Sequence, residues 1–541
     1  MTALRLHRRW FIISLFICAL VLLPVLSIFS SFAQFSSALW VHLIDTTLGL
    51  YITNSLKLAI GVAVLSAFFG VSCAWLVSQY VFPGQRWLQW ALLLPMAMPA
   101  YIIAYTYTGM LDPTGPLQYW LRDTFGGSGA VLPEIRSLGG AILMLSLVLF
   151  PYVYLLAKTA FAEQQQNIRE VSASLGITGW RYFFRVAIPI ARPAIFTGVA
   201  LAVMETLADY GTVQYFGIST FTTGIFRTWF GMGEMALASQ LAAILATFVL
   251  LLIFWERYLR RDMAFYQTGQ TETSALRVLP KHIQYLCSAF CILLLGIAFI
   301  IPSIQLILWA TMHFSLDQLS GYWPLLTTTV GLAAVASLVT LAVAISLSYT
   351  HRITQHPWLV YINQLSGVGY AIPGTVIAVG VLVPFGWFDR QLNFVWYAVF
   401  ESYVGLVLSG SMFILIFAYV VRFLSVALHN TQSGLERIKP SMDDAALALG
   451  HSRWNIFRKI HMPLLRGSLF SALLLVFVDV LKELPATLIL RPFNMNTLAV
   501  KAFEYASDER LIDAALPSLT IVLVGIIPVI LLTRAMQFKH A

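Results

Sequence analysis

The sequence predicts an all-α polytopic membrane protein with about 12 transmembrane helices, arranged as two parallel six-helix repeats. Its 541 residues are 59% hydrophobic and only 11% charged, whereas soluble globular chains are typically about one quarter charged. Long apolar segments recur along the whole chain, and polar and proline positions repeat at one constant offset. These three observations exclude a soluble globular protein.

The apolar segments are long enough to span a bilayer, which takes roughly 20 residues per helix. Six precede the polar stretch near residue 270 and six follow it. We predict spans at 10–32, 53–80, 88–109, 138–161, 194–210, 236–255, 283–310, 326–350, 359–384, 402–428, 467–490 and 514–536. The first could be read as a signal peptide, but its apolar run exceeds the usual core of about 7–15 residues. We therefore expect it to be retained.

The formal net charge of +9 could indicate nucleic-acid binding, but in membrane proteins Lys and Arg collect on cytoplasmic loops. If the N-terminus is cytoplasmic, most of the 33 basic residues fall on the inward side, among them Arg86, Arg352 and Arg422. This bias predicts that both termini are cytoplasmic and argues against a nucleic-acid partner.

The four cysteines suggest neither a disulfide framework nor a metal site. Cys18, Cys73, Cys287 and Cys291 all lie in apolar segments and form no C-x-x-C pair. We expect no metal ligands among them.

An internal repeat divides the chain into two homologous halves. The two members of each matched pair are separated by the same number of residues, called here the repeat offset, which is the distance in sequence from Thr53 to Thr327. These pairs include Pro99 and Pro373, Trp180 and Trp454, Pro189 and Pro463, and Arg192 and Arg466. Six spans per half give both halves the same orientation, which places a transport pathway at their interface. We predict a first half at 1–256, a cytoplasmic linker at 257–282 and a second half at 283–541.

The longest cytoplasmic loop of each half, about 163–193 and 436–467, carries an acid–glycine–proline pattern with the same spacing. The residues are Glu170, Gly176, Trp180 and Pro189 in the first loop and Asp444, Gly450, Trp454 and Pro463 in the second. The pattern predicts a short helix ended by glycine, a turn, and an amphipathic helix closed by proline. Such a pair can dock into a groove of a soluble partner, or can simply lie at the membrane interface between two spans.

This pattern resembles the EAA coupling loop of the permease subunits of bacterial ABC importers. The first loop departs from it at Val171 and Ser172, and the second has Asp444 in place of Glu. The resemblance implies the type I importer permease fold, a bacterial inner-membrane location and coupling loops, formed by the eight residues above, that seat in a cytoplasmic ATPase dimer. It also implies a periplasmic solute-binding protein as a second partner.

The chain itself carries no recognisable catalytic motif. It contains no Gly-Lys dipeptide, and therefore no P-loop of the Walker A type. We find no Ser/His/Asp or HExxH arrangement either. We expect a transport subunit rather than an enzyme, with no cofactor of its own and with ATP and Mg used by the partner ATPase.

Acidic residues interrupt the span after each loop, namely Glu205 and Asp209 in the first half and Asp479 and Glu483 in the second. Charge at this depth usually faces a protein interior or a water-filled path. The four carboxylates are candidates for lining the pathway. They could instead be paired structurally, with Lys482, Arg491 or Lys501 in the second half and with Arg227 in the first.

Residues 204–215, 479–491, 505–510 and 514–517 resemble the fused permeases of ferric-iron importers, and the likeness extends over the whole chain. That resemblance implies Fe(III) as the transported solute. A fused thiamine permease is the alternative, because acids with Trp and Tyr also suit a cationic aromatic solute. A secondary transporter with parallel repeats, a channel and a membrane scaffold are the remaining alternatives.

Overall fold

The fold comes from a computed structural model, which describes residues 2–125, 133–162, 164, 166–261, 277–312, 316–354 and 357–537. Most of the linker predicted at 257–282 lies outside these residues. The regular secondary structure of the described part is helical, apart from two short parallel strands, β1 (Tyr80–Val81) and β2 (Arg277–Val278). The all-α prediction is confirmed.

Thirteen helices precede the linker region and twelve follow it among the described residues. The first group is α1 (Thr2–Ser30), α2 (Ser37–Leu43), α3 (Gly49–Gln79), α4 (Gln85–Ala91), α5 (Ala100–Leu111), α6 (Pro116–Phe125), α7 (Leu138–Ala162), α8 (Gln166–Ser174), α9 (Gly179–Tyr182), α10 (Ile188–Ala208), α11 (Gly211–Tyr215), α12 (Phe221–Phe226) and α13 (Met235–Arg261). The second is α14 (Lys281–Leu295), α15 (Ile301–Met312), α16 (Leu316–Thr354), α17 (Pro357–Ser366), α18 (Gly374–Phe400), α19 (Met412–Glu436), α20 (Pro440–Ala448), α21 (Arg453–Ile456), α22 (Met462–Leu481), α23 (Pro485–Leu490), α24 (Leu498–Ser507) and α25 (Leu511–Gln537).

Ten continuous helices within the described ranges are long and apolar enough to cross a membrane, and two bent helix pairs raise the number to twelve. The bent pairs are Gln85–Ala97 with Ala100–Leu111, at 91°, and Trp358–Ala371 with Gly374–Phe400, at 112°. They correct our expectation of continuous spans at 88–109 and 359–384.

Prolines cause both bends. Pro99 and Pro373 lack the amide hydrogen that would continue the helical hydrogen bonding, and a proline drives the residue before it into extended backbone. Met98 and Ile372 accordingly have ψ values of 117° and 130°. Each following helix, α5 or α18, starts directly after its proline.

The repeat offset reappears in the helix bounds. Shifted by this offset, α7 begins and ends where α19 does, and α8 begins and ends where α20 does. The short helices α9 and α21 keep the same offset. Because the three pairs lie consecutively, the two halves share one local architecture around the predicted coupling loops.

The chain forms two compact units whose membership differs from the sequence halves. The first unit contains 1–39, 225–246 and 315–501, and the second contains 40–224, 247–314 and 502–541. The first span of each half therefore packs in the unit built mainly from the other half. The halves at 1–256 and 283–541 stay a prediction about the sequence repeat.

In the first unit, α1 packs closely against α18. The Ser27 hydroxyl donates a hydrogen bond to the carbonyl of Gly380, and a side chain at Gly380 would collide with the backbone of Pro24. Glycine at this position lets the two helix backbones approach each other, as small residues commonly do in membrane helix packing.

A bulky residue at this contact should loosen the first unit. We expect Gly380→Leu to lower the free energy of unfolding by about 1–3 kcal/mol, the usual range for overpacking, measured by thermal unfolding in detergent. The control is Gly386→Leu on the same helix, where no atom lies within 4 Å of the new Cβ. Equal stability of the two variants would contradict this packing.

In the second unit, α5 contacts helices from the second half. The Tyr105 hydroxyl donates a hydrogen bond to Ser518 on α25, and the Tyr107 hydroxyl donates to the carbonyl of Ile297 at 2.6 Å. These buried hydroxyls find partners inside the protein, as they must in a membrane interior that offers no water.

Candidate functional site

The first predicted coupling helix is α8, and it ends in a glycine cap. Gly176 has a left-handed φ of +74°. Its amide donates to the carbonyl of Ala173 at 3.0 Å, and the amide of Ile177 donates to Ser172 at 2.8 Å. This pair of bonds is a Schellman motif, which satisfies the last carbonyls of a helix.

The second coupling helix, α20, repeats this cap. Gly450 has a φ of +80°. Its amide donates to Leu447 at 2.9 Å, and the amide of His451 donates to Ala446 at 3.1 Å. The expectation that each short helix ends at its glycine is therefore confirmed.

Both helices present an acid beside exposed apolar side chains. Glu170 and Asp444 are exposed. Leu175 and Leu449, which directly precede the two glycines, are 71% and 79% exposed. Large apolar side chains grouped outside the spans are typical of a surface that a partner covers.

The two tryptophans lie on the helix that follows each glycine. Trp180 is 73% exposed and stacks on Phe184 at 6.0 Å, and Trp454 is 67% exposed with Phe457 at 5.5 Å. Each tryptophan therefore adds an aromatic edge to the exposed loop surface.

The prolines do not close these second helices, contrary to our expectation. Helical structure runs without interruption over Gly179–Ala208 and Arg453–Leu481. Pro189 and Pro463 lie just after π-helical turns at Phe183–Ala187 and Phe457–His461. A wider π turn accommodates the carbonyls that a proline leaves without a helical donor, so the loop continues directly into the span.

A buried arginine attaches the first coupling helix to the rest of its unit. Arg169 on α8 donates to the side-chain oxygen of Gln79, at the end of α3, at 3.0 Å. Gln79 in turn donates to the carbonyl of Phe161 at 3.1 Å. The Arg169 guanidinium also lies 5.8 Å from the ring centre of Tyr182. Arg169 thereby connects α8 to α3, α7 and α9.

An acid occupies the same repeat position in the second loop. Asp443 on α20 accepts a hydrogen bond from Arg352 at 2.9 Å and lies 2.8 Å from Nε2 of His461. Arg352 also donates to the carbonyl of Leu435 at 2.7 Å. Arg169 and Asp443 are related by the repeat offset. The two coupling helices are therefore attached to the rest of their units through side chains of opposite charge.

Burial on its own raises the pKa of Asp443, but the hydrogen bonds from Arg352 and His461 outweigh it and hold that pKa below its ordinary value. A carboxyl whose pKa is lowered by folding stabilises the fold above its unfolded pKa, near 4. The attachment of α20 should therefore persist at neutral pH and weaken only as the pH falls through the lowered pKa.

Removing this charge should loosen the second coupling helix. We expect Asp443→Asn to lower the free energy of unfolding by about 1–3 kcal/mol, because it leaves the buried donors of Arg352 without their charged acceptor. The measurement is thermal unfolding at neutral pH. Asp444→Asn is the control, since it makes the same chemical change at the exposed neighbouring residue. An equal shift in both variants would argue against the attachment.

Two of the four acids in the spans form helix caps. Asp209 follows α10 directly and accepts hydrogen bonds from the amides of Thr212 and Val213, both at 3.1 Å. Glu483, its repeat partner, accepts from the amide of Ala486 at 2.9 Å. Both carboxylates bind the free amides that begin a short helix, α11 or α23.

The other two acids lie one turn earlier. Asp479 forms an ion pair with Lys482 at 2.9 Å, which matches the structural pairing considered from the sequence. Glu205 is half-buried near the end of α10. Glu205 and Asp209 belong to the second unit, and Asp479 and Glu483 belong to the first.

The partner of Glu483 is Arg422, for which the bias of basic residues gave the wrong location. Arg422 is 8% exposed, lies within the candidate span Met412–Glu436 and pairs with Glu483 at 3.4 Å. The bias of basic residues predicts Arg422 on the inward side, together with the basic residues of the loops. The pairing explains why a span tolerates it, since intramembrane charges are usually paired.

No group of three or more His, Cys, Asp or Glu side chains that could hold a metal ion occurs among the described residues. The four cysteines are buried and unbonded to one another.

Each half of the chain contains one broken span and several continuous ones. Each half also contains an exposed helix that ends in a glycine cap and leads into a long span. This arrangement defines a polytopic transport domain that occurs twice. The chain belongs to the family described as binding-protein-dependent transport system inner membrane component, whose profile matches residues 66–265 and 343–539. It is thus an ABC importer permease of the inner membrane. It is not an enzyme and holds no cofactor, because a partner ATPase hydrolyses the ATP.

Three relatives match this chain over different lengths. An Fe(3+)-transport system permease protein of Haemophilus influenzae is 26% identical over 490 residues, covering 89% of each chain. A putative ferric transport system permease protein of the same organism is 25% identical over 464 residues, covering 81% of this chain and 70% of the relative. A sulfate transport system permease protein of Escherichia coli is 27% identical over 202 residues, covering 37% of this chain and 71% of the relative.

Proposed function

We propose that this permease translocates Fe(III), delivered by a periplasmic binding protein, and that a separate cytoplasmic ATPase dimer drives it by alternating access. The observation that carries the choice of solute is the length of similarity. The ferric relatives named above match more than four fifths of this chain, whereas the sulfate relative matches 37% of it.

The proposed coupling runs from the two loops to the spans. When ATP brings the ATPase subunits together, their clefts push on α8 and α20 through Glu170, Gly176, Asp444 and Gly450. Arg169 and Asp443 transmit the displacement to the ends of α3 and α16. Because Gly179–Ala208 and Arg453–Leu481 are continuous helices, the same displacement rocks the spans that carry the acids.

The acids suit a hard cation, which prefers oxygen ligands. The carboxylates of Asp209 and Glu483 cap short helices beyond the ends of the two spans. Glu205 and Asp479 lie within the spans themselves, and we therefore assign the lining of the path to these two acids. Lys482 competes with the cation for Asp479. Such competition keeps binding weak, which a solute in transit requires.

We propose an orientation in which both termini and the linker 257–282 lie in the cytoplasm, on the side of the ATPase. Its basis is the bias of Lys and Arg toward the inward loops. A cysteine in the linker, introduced at Ser274, should react with a membrane-impermeant maleimide only in inverted vesicles.

The choice between Fe(III) and thiamine can be tested in vesicles that contain the permease, its ATPase and its binding protein. We expect ATP-dependent uptake of labelled Fe(III) and none of labelled thiamine. Uptake of thiamine alone would overturn the assignment of the solute and leave the permease assignment intact.

The role of the acids can be tested in the same vesicles. Replacing Glu205 and Asp479 together with Ala should reduce Fe(III) uptake at least tenfold at an unchanged protein level. Asp123→Ala is the control, because Asp123 is an exposed acid on α6 and belongs to neither of the two spans that carry Glu205 and Asp479. Normal uptake by the double variant would show that the two acids do not line the path.

A further inference from the structure

One pair of repeat-related segments differs sharply between the halves. Residues 112–137 and 386–411 have the same length and are related by the repeat offset. The first contains five charged residues, Asp112, Arg122, Asp123, Glu134 and Arg136, and three aromatic ones. The second, called here the aromatic hairpin, contains three charged residues and seven aromatic ones. Its aromatic residues are Trp387, Phe388, Phe394, Trp396, Tyr397, Phe400 and Tyr403.

The aromatic hairpin is an ordered structure rather than an extended loop. It consists of the end of α18, a turn at Glu401 with a φ of +52°, and a returning segment of chain. Asn393 donates to the carbonyl of Gly405 at 2.7 Å and accepts from its amide at 3.0 Å. Tyr397 and Tyr403 stack with ring centres 4.9 Å apart.

A buried carboxylate fixes the base of the hairpin. Asp389 accepts hydrogen bonds from the amide of Leu408 at 3.0 Å and from the amide and hydroxyl of Ser409 at 2.8 and 2.6 Å. Asp389, Asn393 and Ser409 thus hold the backbone of the hairpin together, and its large apolar side chains are exposed.

These apolar side chains are exposed on every side of the helix. Phe394, Val395, Trp396 and Tyr397 are consecutive, and all are exposed, from 39% to 74%. Four consecutive residues go once around an α-helix, which has 3.6 residues per turn. A docked protein covers one face of a helix, whereas a helix that is apolar all round belongs in an apolar surrounding such as lipid.

The position of the hairpin along the chain places it at a membrane surface. The span Met412–Glu436 begins directly after it. That span leads to α20, the second coupling helix, at its other end. The aromatic hairpin therefore lies on the membrane face opposite the second coupling loop, at the edge of the hydrocarbon.

We propose that the aromatic hairpin is a lipid-binding element that inserts into the headgroup region of the membrane face opposite the coupling loops. Trp and Tyr concentrate in that region because their rings combine an apolar body with a polar group. Arg390 and Glu401 are exposed and can reach the headgroups. The second half is thereby anchored in lipid by a segment whose repeat counterpart in the first half is richer in charged residues.

The test is site-directed fluorescence in lipid nanodiscs. Phe394→Cys and Val399→Cys are each labelled with an NBD maleimide, and the unaltered chain gives the background, because its described cysteines are buried. The emission is then quenched with doxyl-labelled lipids or with aqueous iodide. We expect doxyl lipids to quench both positions several-fold more strongly than iodide does.

Asp123→Cys is the control, because it lies on α6 within the charged segment of the first half and is exposed. We expect iodide to quench this position more strongly than doxyl lipids do. Quenching by iodide at 394 and 399 equal to that at 123 would overturn the proposal, since the hairpin would then be in water. Protection from both quenchers would also overturn it, because a protein would then cover the hairpin. Neither result depends on the transported solute.

Discussion

Gly450→Asp is expected to abolish ATP-driven uptake while the protein remains in the membrane at its normal level. Gly450 has a φ of +80° and closes the cap of α20. A residue with a side chain is strained in this left-handed conformation by about 1–2 kcal/mol, and a carboxylate opposes the dipole at a helix C-terminus. No atom lies within 4 Å of the added Cβ, so the change alters the exposed surface rather than the core.

The control for this variant is Gly233→Asp. Gly233 also has a left-handed φ, of +71°, and open space around it, but it lies in neither loop. It therefore reproduces the backbone strain without touching the surface proposed to bind the ATPase. Uptake should survive in Gly233→Asp. Normal uptake in Gly450→Asp would mean that the second loop does not couple ATP hydrolysis to transport.

Arg422→Leu is expected to cause the largest loss of stability. Arg422 lies 3.4 Å from Glu483, which is only 5% exposed. The substitution leaves this buried carboxylate without its ion-pair partner. Breaking a buried ion pair on one side typically costs about 3–5 kcal/mol. The thermal unfolding temperature of the purified protein in detergent, together with the amount in the membrane, measures the effect.

Two further variants isolate the charge as the cause. Replacing both partners, Arg422→Met with Glu483→Gln, should restore part of the lost stability, because no unpaired charge remains and the amide can still accept from Ala486. Arg390→Leu, at an exposed arginine, should leave unfolding unchanged. If Arg422→Leu unfolds at the same temperature as Arg390→Leu, the ion pair contributes nothing to the fold.

The sequence predicted the features that depend on local spacing. The capped helices follow from the acid-to-glycine spacing, and the helix bounds follow the repeat offset. The bends at Pro99 and Pro373 were not predicted, because a proline alone does not mark a break: Pro24 and Pro151 lie inside continuous helices.

Contacts between distant residues could not be predicted from one sequence. Arg169 binds Gln79 across 90 residues, and Asp443 binds Arg352 across 91. The bias of basic residues predicts Arg422 on the inward side, and nothing in one sequence indicates that it pairs with Glu483, 61 residues further on. The contact of α1 with α18 joins residues 353 apart. Such pairings depend on how helices pack, which hydrophobic patterns do not specify.

Cross-linking shows whether the two coupling helices dock into the ATPase. Cysteines are introduced singly at Glu170 and Asp444, which are both exposed, and at Asp123 as the control. The assembled complex is treated with a short bismaleimide. We predict that both loop positions cross-link to the ATPase subunit and that position 123 does not. Failure of both loop positions, or an equal yield at position 123, would contradict it.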